Sequence, residues 1–162
     1  MSKIHTAIAG EYAVMAELAL HGLDANITLR NTKGIDIIVS NPESGNMYRV
    51  QVKTTSIVNG NLEDIYGRTI RWMMNVKHLE IKDNLLIYAF VLMDKEFGDF
   101  RFFLLPNDVV VRAVLDEHQR YLDKSGNSVN SDDRAFRIGL DEKYDYFVPL
   151  TKYYENKWEL FA

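Results

Sequence analysis

The stretch GIDIIVSNPESGNMYRVQVKTT, residues 34–55, reads as two short apolar strands joined by a turn. Asp36 stands between Ile35 and Ile37, and Gln51 and Lys53 flank Val52. Side chains alternate across a strand, so Gln51 and Lys53 share one face and Val50, Val52 and Thr54 share the other. Asn41–Asn46 (NPESGN) has the composition of a turn. If the two runs pair as a hairpin, Asp36 reaches the same edge as Gln51 and Lys53. An acid, an amide and an ammonium then converge. Gly34 supplies backbone freedom just before the acid.

Outward from the hairpin, residues 3–22 carry Ile4, Ile8, Met15, Leu18 and Ala19 at helical spacing, with Gly22 to end the helix. Glu11 falls on or near that apolar stripe. Asn26–Arg30 reads as a short strand and Asn31–Lys33 as its turn. Residues 56–71, with Gly60 and Gly67, read as a loop. Arg68, Arg71, Lys77 and Lys82 follow around Trp72, with Glu80 as the one acid from Arg68 to Lys82. Such a segment suits nucleic-acid contact, or a solvated face around a buried tryptophan.

Leu85–Met93 (LLIYAFVLM) predicts a central strand buried on both faces. Phe100–Leu105 predicts its antiparallel neighbour after a turn at Lys95–Asp99, stopped by Pro106. Asn107 or Asp108 suits the N-cap of a helix over Val109–Leu122, with Val110, Val114, Leu115 and His118 along one side. Asp123–Asp133 reads as a polar surface loop and Arg134–Leu140 as a last strand. Tyr153 or Tyr154, Trp158 and Phe161 give the tail helical spacing and an apolar side to dock on the core.

The 162 residues suit one domain with a sizeable core, and 47% hydrophobic with 26% charged residues is ordinary for a globular chain. The absence of cysteine excludes disulfides and thiolate metal sites, and the four histidines lack zinc-ligand spacing. A metal here would take oxygen ligands, which favours Mg2+ or Mn2+. No apolar run approaches the length of a membrane span, and the N-terminus MSKIHTAIAGEY lacks the apolar segment of a signal peptide, so a cytoplasmic location is the expectation. The net charge of -4 argues against a surface coated with phosphate contacts, though a local basic groove remains compatible with it.

Glu11 on the first helix, Asp36 opening a strand and Gln51-Val52-Lys53 on the next resemble the PD-(D/E)xK nuclease superfamily, in its QxK variant. In outline the chain is similar to archaeal Holliday-junction resolvases and methyl-directed type IV restriction nucleases. The resemblance covers about the first third of the chain. It implies an α/β fold of restriction-endonuclease-like type, with a mixed central β-sheet flanked by helices. It further implies a metal-dependent nuclease acting on DNA, and a homodimer where both strands are cut. Asp36, Glu11, the Gln51 amide oxygen and the Val52 carbonyl would hold Mg2+ or Mn2+. Lys53 would sit near the scissile phosphate, orienting water or offsetting developing charge. Apart from the resemblance, the basic segment around Trp72 makes Arg68, Arg71 and Lys77 the candidate nucleic-acid contacts.

Gln51 is neutral where most relatives carry an acid, which weakens the hold on a cation. Asp36 and Lys53 could instead form a structural ion pair. Two alternatives follow: a nuclease fold that binds nucleic acid or protein without cutting, and a small acidic interaction or immunity protein with a basic partner.

Overall fold

The computed structural model describes residues 2–28, 34–56, 63–64, 67–93, 99–125, 131–140, 142 and 148–162. The turn expected at Asn31–Lys33 lies outside them. So do most of the turn expected before Phe100 and parts of the two expected loops.

A five-stranded mixed sheet forms the centre, in the order β1-β2-β3-β6-β7. Its strands are β1 (Asp24–Ile27), β2 (Ile37–Ser40), β3 (Met47–Ser56), β6 (Leu86–Met93) and β7 (Phe100–Pro106). β2 and β3 are the expected antiparallel hairpin, with Ile37 opposite Val50 and Ser40 opposite Met47. Its turn is closed by the Asn41 side chain, which accepts from the amides of Glu43 and Ser44 at 2.8 and 3.1 Å. β6 runs parallel to β3 and antiparallel to β7. Every residue of β6 is buried, as its uninterrupted apolar run requires.

The two faces of this sheet have different covers. On one, α1 (Lys3–Leu20) places Val14 and Leu18 against Val50, Val52, Ala89 and Val91, beside Trp158 and Phe161 of the tail. The approach is close. A Cβ at Gly10 would stand 2.9 Å from the Thr54 Cβ and nearer still to Thr54 Oγ1. On the other face, a second sheet of β4 (Glu63–Asp64), β5 (Gly67–Asn75) and β8 (Asp133–Gly139) packs with α2 (Asn107–Ser125). Trp72 of β5 ties the layers by donating its indole N–H to Val91 O at 3.0 Å.

Several expectations need correction. Residues 67–75 are a nine-residue strand, not part of a loop. Ile70, Trp72 and Met74 are buried while Arg71 and Met73 are exposed, so the buried tryptophan with its solvated neighbours is what forms. The first strand is Asp24–Ile27, earlier than expected, and Asp36 precedes β2 instead of opening it. α2 starts at Asn107 itself, whose Nδ2 donates to Ile81 O at 2.7 Å while its Oδ1 accepts from no described amide, so it does not cap the helix. Leu115 is 50% exposed, and Ala113 and Glu117 join Val110 and Val114 on the buried side.

The tail docks but is not one helix. Thr151–Tyr154 (α3) and the 3-10 turn Trp158–Phe161 are separated by Asn156, whose φ of 55° no helix sustains. No described helix is long and apolar enough to cross a membrane.

Candidate functional site

Asp36 sits where β2 has not yet begun, while β3 already runs alongside. Its amide donates to Val50 O at 2.8 Å, which sets the register. Beyond the Ile37–Val50 pair the described β2–β3 ladder ends, and the Asp36 carboxylate takes the Val52 amide. Oδ2 accepts from the Val52 amide at 2.7 Å and from Gln51 Nε2. Burial raises the Asp36 pKa above the usual carboxylate value, against the Val52 amide, the Lys53 charge and the Gln51 amide, which all lower it. The Val52 carbonyl leaves the strand on the same edge as its amide. Gln51 is buried, and its Oε1 has no hydrogen-bond partner among the described residues.

Gly34 makes this approach. Its φ is +70°, and a Cβ there would meet Ile81 Cδ1 at 3.1 Å and Gln51 Oε1 at 3.5 Å. Gly34→Ala should therefore lower stability by roughly 1–2 kcal/mol, the cost of a left-handed L-residue. Urea denaturation measures it, and Gly34→Asn should lose less because asparagine tolerates this region.

Lys53 shares the face of Gln51. Its neighbours across to β6 are set by the parallel register, Gln51 beside Tyr88 and Lys53 beside Phe90. The ammonium does not close an ion pair with Asp36. Nζ lies 3.2 Å from His78 Nε2, and His78 Nδ1 lies 3.4 Å from the Tyr88 hydroxyl. Burial lowers the Lys53 pKa against the opposing pull of Asp36. Burial, and then the Lys53 charge, push His78 down to about 4, so its imidazole is neutral at pH 7. Burial also raises Tyr88. His78 and Tyr88 carried no signal in the sequence, because nothing local marks a histidine that a 3-10 turn (Val76–Glu80) will carry across to β3.

The remaining expected residues are divided. Glu11 is half-buried on α1, next to Gly10, and α1 packs on the sheet face opposite to Gln51 and Lys53. The structure thus brings Asp36, Gln51, Val52 and Lys53 together on the hairpin and carries Glu11 on the helix behind it. Arg71 lines a cleft of about 420 Å³ with Lys53, Thr55, Ser56, Lys3 and Thr6. None of that cleft's described lining residues is acidic. Arg68 is exposed on the opposite side of β5 from Arg71, since odd and even positions face apart. Lys77 is exposed on the turn that holds His78.

The donors present suit a hard divalent cation: a carboxylate, a peptide carbonyl and a buried amide oxygen that lacks a partner among the described residues. Among the described residues no cluster of three or more His, Asp or Glu side chains stands ready for a metal. Such a site would therefore draw on amide and peptide oxygens as well as Asp36.

No protein-family model matches this chain. No curated protein matches it in sequence. Among solved structures, it is similar to that of the bacterial homing endonuclease I-Ssp6803I, with a TM-score of 0.56 and 14% identity over 98% of this chain and 90% of the other. At that identity the likeness is one of fold.

Proposed function

We propose that this chain is a metal-dependent nuclease that hydrolyses DNA phosphodiester bonds at the end of the β2–β3 hairpin. The observation that carries the reading is the meeting of Asp36 and Gln51 near the Lys53 charge, with Gln51 Oε1 buried and without a partner among the described residues. An amide oxygen in that state costs stability unless something else binds it. The fold likeness to a homing endonuclease supports the same reading.

In this reading Asp36, Gln51 Oε1 and the Val52 carbonyl would hold Mg2+ or Mn2+, and Glu11, carried on α1 behind the hairpin, would be the further carboxylate that the resemblance implies. The cation, when bound, supplies Lewis-acid stabilisation of charge on the phosphoryl oxygens. Lys53 places a positive charge at the scissile phosphate, where negative charge grows in the transition state. Val52 and Gln51 keep the Asp36 carboxylate in one orientation through their N–H groups. The basic cleft beyond Lys53 takes the flanking strand, which reconciles DNA binding with the net charge of -4. Two copies acting together would supply one site per strand, and light scattering would register the dimer.

The test is cleavage of linear duplex, single strand, flap and four-way-junction DNA with Mn2+ or Mg2+, comparing wild type with Asp36→Ala and Lys53→Ala. Loss in both variants supports the site. Cutting that survives both would sink it. A separate expectation concerns the cleft. Arg71→Ala should weaken DNA binding, measured with Ca2+ in place of Mn2+. It should also reduce the slope of log K against log salt by about 0.9 for each lost phosphate contact. An unchanged slope would remove Arg71 from the DNA path.

A further inference from the structure

Lys53 poses a problem that the hairpin alone does not solve. Its side chain is half-buried on the face beside Phe90, and its ammonium has three N–H donors to satisfy. Asp36 acts on it only at a distance, with no ion pair between them and its Oδ2 accepting from Val52 and Gln51. Among the described residues, the side chain within hydrogen-bond reach is His78, with Nε2 at 3.2 Å.

We propose that His78 is the positioning residue for Lys53: its neutral Nε2 accepts from the ammonium and aims it, while Tyr88 fixes the imidazole ring. The proposal rests on the nuclease reading above, and it names a residue that the hairpin motif does not contain.

The hydrogen-bond logic determines the tautomer. An ammonium can only donate, so Nε2 must accept and the ring proton sits on Nδ1. Nδ1–H then points at the Tyr88 oxygen, 3.4 Å away, which accepts it. The ring of Tyr88 is fully buried and stacked on Phe90 at 12° and 5.7 Å, so the chain of contacts is anchored in the core. The other end of His78 is held by its 3-10 turn, where Asn75 Oδ1 accepts from the Lys77 amide at 3.0 Å. The depressed pKa of His78 agrees with a ring kept neutral beside a cation.

The choice of an imidazole has a chemical consequence. A carboxylate at position 78 would hold the lysine equally well but cancel its charge. A neutral acceptor restricts the four-carbon stem, which otherwise samples many rotamers, and leaves the full positive charge for a phosphate. Stabilisation of developing charge needs both the place and the charge.

The test compares His78→Ala, His78→Gln and His78→Glu in steady-state DNA cleavage with Mn2+, each also in a Lys53→Met background. His78→Ala should lower kcat about 10- to 100-fold, the scale of a misplaced catalytic group, with KM changed far less. His78→Gln, a neutral acceptor, should recover most of the rate. His78→Glu should stay low although it can hold the lysine. With Met at position 53, none of the three should lower the residual rate further. A readout free of cleavage is the 1H–15N signal of the Lys53 ammonium. It should be protected from exchange in wild type and His78→Gln and lost in His78→Ala.

The proposal is overturned if the ammonium signal ignores His78→Ala. It is also overturned if His78→Glu is as active as His78→Gln, or if the His78→Ala loss persists without Lys53. Wild type that shows the protected ammonium yet cuts no DNA would uphold the hydrogen bond. It would overturn the positioning role, with the nuclease reading as the point of failure.

Discussion

Lys53→Met is expected to lower kcat about 10²- to 10³-fold, the cost of losing one preorganised charge-stabilising group, while Mn2+ affinity stays near wild type. Asp36→Asn is expected to do the reverse in part. It should weaken Mn2+ binding by more than the roughly 10- to 100-fold that loss of an outer-shell partner costs, and cleavage should fall with it. Titration of Mn2+ by calorimetry beside single-turnover cleavage separates the two.

The same pair of residues makes an unusual stability prediction. In a structural ion pair each charge favours the other's ionised form. Here burial raises Asp36 and lowers Lys53, and the mutual attraction fails to offset it. The charged pair is therefore a cost to the metal-free fold. The double variant Asp36→Asn/Lys53→Met keeps an acceptor for the Val52 amide and removes both charges. It should be inactive and, in EDTA, at least as stable as wild type, by a gain on the order of 1 kcal/mol. Chemical denaturation showing a large loss in the double variant would restore the ion-pair interpretation.

Gly10→Ala should be the most damaging single methyl in the first helix. On propensity alone it should stabilise α1 by about 1 kcal/mol. The packing term opposes this and is larger. The added Cβ would lie 2.9 Å from the Thr54 Cβ, on a strand that cannot yield as a flexible side-chain tip would. Overpacking of this kind costs about 1–3 kcal/mol, which for a chain of this size is several degrees in Tm. Because the displaced strand also carries Gln51 and Lys53, activity should fall along with stability. Thr54→Ala removes Oγ1 and Cγ2 and should recover part of the loss. A variant with raised Tm would show that α1 is not seated on β3 as described.

The hairpin was legible because alternation is a property of the backbone. Val50, Val52 and Thr54 could only face away from Gln51 and Lys53, and the structure keeps that division. Leu86–Met93 was equally plain, since an unbroken apolar run has to be covered on both sides. The strand at Gly67–Asn75 was missed although its signal was present. Ile70, Trp72 and Met74 alternate with Arg71 and Met73, but the neighbouring glycines suggested a loop. In the tail, helical spacing of Trp158 and Phe161 correctly marked residues that dock. It could not reveal the left-handed Asn156 between the two short helical turns.

What the sequence determined by itself was local: which residues share a strand face, where the turn lies between them, and that Asp36, Gln51 and Lys53 can meet at one edge. Those follow from a two-residue repeat and from the side chains that turns accept. Only the tertiary structure decided which layer covers which face. It put α1 with Glu11 behind the hairpin, and brought Arg71, His78 and Tyr88 to the side of Lys53. The reason is physical. These contacts join segments far apart in the chain, and they arise from burying two apolar faces of one sheet, a constraint that no local pattern of residues encodes.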